Sequence, residues 1–172
     1  MSKKKMVVKL IDAAIYAKDE LIGVATVQLN KFTSQTESFK GFGVGGTIEL
    51  PTPGLYESQE LVINWSATSE DSIKLSKPKF TDLQIRNAIQ SIGLGEDADP
   101  ESLVLYIRGI PKELDLGKVE PGATMDTSLT LEVVYSKLEY NDKTLIELDK
   151  LNRKNIIDGE DILAKVNKIL RG

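Results

Sequence analysis

Thr127–Tyr140 reads TSLTLEVVYSKLEY and alternates apolar and polar residues with a period of two. Leu129, Leu131, Val133 and Tyr135 fall on one side, and Ser128, Thr130, Glu132 and Ser136 on the other. Successive side chains of an extended chain point to opposite faces of a sheet, so this is a long strand with one core face and one polar face. Asn141-Asp142 follows, two residues that tolerate positive φ, and then KTLIELD over 143–149. The pair reads as a β-hairpin. A long strand that returns after a two-residue turn predicts antiparallel pairing.

The same alternation recurs upstream. ELVINWSAT (60–68) places Leu61, Ile63, Trp65 and Ala67 on one face and Glu60, Val62, Asn64 and Ser66 on the other. SLVLYIRG (102–109) turns Leu103, Leu105 and Ile107 inward, and LIGVATVQL (21–29) is apolar on both faces. Two stretches fit a helical stripe instead. In KFTDLQIRNAIQSIGLG (79–95) the stripe is Phe80, Leu83, Ala88, Ile89 and Ile92, with Thr81 or Asp82 as cap and Gly93 as stop. In GEDILAKVNKILRG (159–172) it is Ile162, Leu163, Val166, Ile169 and Leu170, with acids at the start and bases at the end, an order that suits the helix dipole. Strands joined by short turns, with a few helices, predict an antiparallel sandwich or barrel rather than a doubly wound parallel sheet.

The 172 residues suit a single domain over 1–172, large enough to bury roughly 70% of its unfolded surface without metals or disulfides. There is no Cys and no His. Thiolate chemistry, a Ser–His–acid triad and a His-ligated zinc site are therefore excluded. The net charge is -4, and three of the 22 basic residues cluster at Lys3, Lys4 and Lys5, which leaves an acidic body. Such a body does not suit passive nucleic-acid binding, which needs cations facing phosphates. No apolar run approaches the length of a membrane span. The opening segment is too interrupted by Lys9 and Asp12 to be a signal peptide.

KGFGVGGTIELPTPG (40–54) contains G-x-G-x-x-G at Gly41, Gly43 and Gly46, with Gly45 beside it. A dinucleotide site needs a strand before the first glycine and a helix opening at the third, so that pyrophosphate rests on the helix amides. Here a hydroxyl-rich stretch precedes the glycines, and Pro51 and Pro53 follow. Proline costs about 3 kcal/mol inside a helix, so a loop arm over about 40–60 is expected instead of a cofactor site. The carboxylates Glu147 and Asp149 lie two apart on one strand. They share a face, but such pairs are far more often solvated surface than catalytic.

Taken in order, these segments resemble the major tail tube proteins of contractile-tailed phages and R-type bacteriocins. The strongest block is VVYSKLEYNDKTLIELDKLN followed by IIDGEDIL, matched at Tyr135, Lys137, Leu138, Leu145, Glu147, Asp149, Asn152, Gly159, Asp161 and Leu163. YIRGIPKELDLG (106–117) is similar to a second family block at Arg108, Gly109, Lys112, Glu113, Asp115 and Gly117. GVATVQLNKFTSQTESFKGFGVGG resembles the first strand leading into a glycine cluster. Residues 51–100 match loosely, and Asn141-Asp142 stands where the family has Asp-Gly.

The resemblance implies a mainly β fold of two packed antiparallel sheets in a barrel-like sandwich, with flanking helices. It implies hexameric rings stacked into the tube of a virion tail, assembled in the host cytoplasm, and no enzyme activity or cofactor. It implies partners in the tail sheath, the baseplate and a tube initiator, with DNA passing through unbound. Gly41, Gly43, Gly45 and Gly46 are then expected at an inter-subunit contact, and the apolar segment Met6–Leu10 is either a second contact or an ordinary edge strand. Glu60, Asn64, Ser128, Thr130 and Glu132 are candidates for the lumen, because hydroxyls and carboxylates do not trap phosphates. The alternative is a monomeric β-barrel that binds a small ligand.

Overall fold

The computed structural model describes residues 5–24, 26–93 and 99–172. Its strands, in chain order, are β1 (Met6–Ala17), β2 (Glu20–Ile22), β3 (Thr26–Gln28), β4 (Ser34–Phe39), β5 (Ile48–Tyr56), β6 (Glu60–Trp65), β7 (Thr81–Ile92), β8 (Glu101–Asp115), β9 (Thr127–Tyr140), β10 (Lys143–Asp149), β11 (Lys154–Ile157) and β12 (Glu160–Asp161). Two short helices accompany them, α1 (Glu70–Leu75) and α2 (Ala164–Arg171).

Every described pairing is antiparallel, and β9 is the organising strand. One edge of β9 pairs with β8. The other pairs with β6 over Thr127–Glu132 and with β10 over Tyr135–Tyr140. Two sheets therefore share two long strands. The first runs β3-β6-β9-β8 and uses the N-terminal half of β9 and the C-terminal half of β8. The second runs β12-β11-β10-β9-β8-β7-β1-β2. The shared strands change register between Arg108 and Gly109, where Val134 of β9 has no partner on β8. An extra residue of this kind bends a strand and increases its twist, and here it separates the two sheets.

One core lies between the sheets, built from Leu61, Ile63, Trp65, Leu129, Leu131 and Val133 on one side and Ile15, Leu83, Ile85, Leu105 and Ile107 on the other. Leu61, Leu129 and Val133 have no exposed surface at all. The sheet does not close into a full barrel. β2 pairs with β1 and β3 with β6, and the ladder is interrupted between Ile22 and Thr26. The strand expected over 21–29 is thus two short strands on two sheets, and Ala25 lies outside the described residues.

Residues 81–92 form a strand, not the expected helix. The segment carries both periods: Leu83, Ala88, Ile89 and Ile92 fit a helical stripe, yet Thr81, Leu83, Ile85, Ile89 and Ser91 alternate inward. Long-range pairing with β1 on one edge and β8 on the other decides the matter, and the helical reading would leave Phe80 and Ile92, both exposed here, as core. Positions 94–95 of that stretch lie outside the described residues. The flanking helix is instead α1, where Ser69 and Ser72 form a reciprocal capping box and Leu75 plugs the core.

The C-terminal helix begins at Ala164 rather than near 159. Asp158 and Gly159 take positive φ in a turn between β11 and β12, so Glu160 and Asp161 are strand residues and no acid occupies the first helical turn. Ser136 is a further correction: it is buried, because the unpaired Val134 reverses the alternation of β9 after Val133. The Asn141-Asp142 hairpin is as expected, with φ of 46° and 64°.

Candidate assembly surfaces

The five lumen candidates, read from two separate segments, lie on one sheet face. Glu60 is opposite Glu132, Val62 opposite Thr130 and Asn64 opposite Ser128. On the far side of β9, Glu113 is opposite Thr130 and Asp115 opposite Ser128. The other face of these rungs is the buried row of Leu61, Ile63, Leu129 and Leu131. Asn64 donates to the Thr26 hydroxyl at 3.1 Å, which ties β3 into the same polar surface.

Two carboxylates directly opposite each other repel. A second bulge in β8 relieves the clash. Pro111 pairs with Leu131 and Glu113 with Thr130, so Lys112 is the extra residue. The bulge aims its ammonium at both acids, 2.5 Å from Glu60 Oε1 and 3.6 Å from Glu132 Oε2. Ser58 donates a hydroxyl to Glu132 Oε2 at 2.6 Å. The hydrogen bond to Glu60 is the main cause that holds the Lys112 ammonium above the ordinary lysine range. With Glu113 and Asp115, the face carries four carboxylates and one lysine.

The edges of this four-stranded sheet are open. Among the described residues β3 pairs only with β6, and β8 pairs with β7 no further than Gly109, so no described strand covers Ile110–Asp115 on that side. Among the described residues β1 has no neighbour on that edge before Ile15, because β2 reaches only Ile15–Ala17. Met6, Val7, Val8, Leu10 and Ile11 are all exposed there. Uncovered backbone donors and acceptors invite pairing with another chain.

The glycine arm is the turn of a two-stranded hairpin, β4–β5, that pairs with no other described strand. Strand β5, with Pro51 and Pro53 inside it, follows Gly46. No helix opens at the third glycine, so the amides a pyrophosphate would need are not presented. Of the four glycines only Gly43 takes positive φ, at 83°. A side chain at Gly45 or Gly46 would meet nothing within 4 Å, whereas one at Gly41 would touch the Phe39 ring at 3.2 Å.

The apolar residues of this hairpin were not singled out in the sequence. Phe39 is opposite Ile48 and Glu37 opposite Leu50, so Phe39, Ile48 and Leu50 share one face. All three are exposed, and Phe42 at the tip is wholly so. Isolated two-stranded hairpins are marginal in water; this one offers an apolar surface that none of the described residues covers.

The remaining motif residues are occupied in holding the subunit together. Tyr135 donates to Glu147 at 3.1 Å, and Lys154 reaches the same carboxylate at 3.0 Å. Burial, then the Glu147 charge, pushes the Tyr135 phenol up to about 12. Asp149 accepts from the amides of Leu151 and Asn152 and from the Asn152 side chain, and so folds the turn before β11. Glu147 and Asp149 thus have separate structural tasks. Gly109 packs at the first bulge, where a Cβ would lie 2.9 Å from the Glu132 carbonyl. Of the basic start, Lys5 pairs with the buried Glu101; Lys3 and Lys4 lie outside the described residues.

An antiparallel sandwich with open strand edges and an uncovered apolar hairpin defines a class: a structural subunit whose surfaces are completed by other chains. The chain belongs to the phage tail tube protein FII family, whose profile matches residues 8–170. It is a phage tail tube protein, part of the virion tail. It is 28% identical over 150 residues to the tail tube protein of Escherichia phage P2, a match that covers 83% of this chain and 84% of that relative. Its fold is similar to a chain in the sheath/tube terminator of an extracellular contractile injection system, PVC, in the extended state. That match has a TM-score of 0.54 and 16% identity, and covers 77% of this chain and 96% of the other. A chain in the extended sheath–tube complex of the same system matches with a TM-score of 0.50 and 16% identity, over 74% and 87% of the two chains.

Proposed function

We propose that six copies of this chain close into a ring and that the rings stack into the hollow inner tube of a contractile tail or tail-like particle. The four-stranded sheet β3-β6-β9-β8 is the observation that carries this reading. It has an open edge on each side, so copies can continue it edge to edge, and its outward face is polar. A head-to-tail contact of this kind closes into a ring when the rotation between copies permits. The face of Glu60, Asn64, Ser128, Thr130 and Glu132 then lines the bore. Its surplus of carboxylates repels phosphates, so DNA slides through without the counterion release that would hold it to a cationic wall.

The second sheet faces outward, toward a sheath, and the tube grows from a baseplate and its initiator, assembled in the host cytoplasm. The structures matched above, which hold a sheath with a tube, support that partnership. The chain's task is association rather than catalysis, and it works without a cofactor. The competing picture of a monomeric ligand-binding barrel is disfavoured by the interior, which Leu61, Ile63, Trp65, Leu129 and Val133 fill.

Sizing chromatography with light scattering tests the reading. The purified chain, supplied with a baseplate seed, is expected to run as rings or tubes. A strict 19.0 kDa species at high concentration with the seed present overturns it.

A further inference from the structure

Among the described residues of the β3-β6-β9-β8 face, Lys112 is the one cation beside four carboxylates. It is the extra residue of the β8 bulge, and a bulge re-aims the side chain it carries. Its ammonium lies 3.6 Å from Glu132 on β9 and 2.5 Å from Glu60 on β6, the strand beyond. Neighbouring strands are about 4.8 Å apart. A lysine on β8 that reaches the second strand over therefore lies flat across the sheet instead of projecting from it. Ser58 fixes the Glu132 carboxylate, donating to Oε2 at 2.6 Å. The Lys112 side chain keeps 47% of its surface exposed, so the two carboxylates, and not exclusion of water, occupy its charge.

We propose that Glu60 and Glu132 cage Lys112 and so keep its ammonium off the DNA backbone, a task distinct from the repulsion exerted by the net charge of the face. The inference rests on reading this face as the wall of the bore. Every copy in a ring would place its lysine at the same level, and every ring would repeat it. A cation free to meet a phosphate releases counterions and adds about 0.9 to the salt slope of DNA binding. The sheet needs a positive charge here, because Glu60 and Glu132 stand opposite each other. Held flat between the acids, the same charge is withheld from the cargo. Both contacts are far shorter than the screening length of about 10 Å at 0.1 M, so moderate salt leaves the cage closed. The raised Lys112 ammonium agrees with this: the Glu60 hydrogen bond, then the charges of Glu60 and Glu132, hold its proton against a smaller opposing effect of burial.

Two charge-matched variants test the cage. Glu60→Gln with Glu132→Gln, and Glu113→Gln with Asp115→Asn, each remove two carboxylates from the same face, but only the first pair opens the cage. The asparagine keeps an oxygen for the Gly117 amide that Asp115 accepts. The cage-opening pair is expected to slow DNA passage through assembled tails at least about tenfold at about 50 mM salt, and less as salt is added. The other pair is expected to slow it far less, and Lys112→Met added to the cage-opening pair is expected to restore the rate. Equal slowing by both pairs, with no rescue by Lys112→Met, overturns the inference and leaves the bore reading standing. Rates that no variant changes remove the bore reading and this inference together. A second measurement needs only the folded subunit. Lysine acylation read by mass spectrometry is expected to modify Lys112 several times more slowly than the exposed Lys77 and Lys79, and at their rate in the cage-opening pair. Equal rates in the wild-type subunit overturn the cage whatever the tails do.

Discussion

Glu60 and Glu132 face each other directly across the β6–β9 ladder, and Lys112, the extra residue of a β8 bulge, bridges them. A sheet with two carboxylates opposed at one rung is electrostatically unfavourable unless a cation is near. The bulge supplies that cation without spending a regular strand position on it.

Lys112→Met leaves the carboxylates facing each other with no counter-charge. The subunit is expected to stay folded and to melt at a lower temperature than wild type in low salt. The difference should narrow as salt is added, because exposed charges are screened within about 10 Å at 0.1 M. Thermal melts at two ionic strengths check this; equal melting temperatures in low salt contradict it.

Glu132→Lys inverts one charge of the proposed lumen face on every copy. Tubes are expected to form, and DNA passage through them to slow most strongly at low ionic strength. Ejection rates measured across a salt series read this directly. A rate independent of both the substitution and salt places the face away from the DNA path.

Gly54 and Gly45 are both in or near the hairpin, yet their environments differ. Gly54 has φ of 73° and no room for a Cβ beside Leu163, while Gly45 has open space around it. Gly54→Ala is expected to cost at least about 1–2 kcal/mol, the scale of left-handed strain alone, with a steric cost added. Gly45→Ala should fall within about 0.5 kcal/mol of wild type. Denaturant unfolding of the two variants separates them, and equal midpoints contradict the placement of the hairpin base.

The Tyr135 phenol is raised from 10.0 to about 12 in the folded chain. The unfolded chain therefore releases this proton first as pH rises, so the contribution to stability is whole below pH 10 and is lost between pH 10 and about 12. Tyr135→Phe is expected to flatten the decline of stability over that window. A wild-type tyrosinate titration complete near pH 10 would contradict the assignment.

Much of the sandwich was legible in the sequence, for a physical reason. β6, β8 and β9 each have one face in the core, and period-two alternation records that directly; β10 was legible from the Asn141-Asp142 turn that returns the chain. Residues 81–92 were misread because Leu83, Ala88, Ile89 and Ile92 satisfy a helical stripe as well, and only pairing with β1 and β8, distant in sequence, chooses between the two. Ser136 was placed on the wrong face because a bulge at Val134 has no signature in residue type. The lumen candidates were read as two stretches; their union into one face depends on the β6–β9 register, which alternation alone does not give. The apolar hairpin face was hidden for the opposite reason. Phe39, Ile48 and Leu50 are scattered among Ser, Thr, Glu, Gly and Pro, and they meet only when β4 and β5 pair.

The most direct test of the account is an electron cryomicroscopy reconstruction of the purified chain assembled on a baseplate seed. The account predicts stacked six-membered rings in which the β3-β6-β9-β8 sheet continues from copy to copy, with Glu60 and Glu132 facing the bore. A chain that forms no rings, or a tube with Glu60 and Glu132 both on its outer surface, would contradict it.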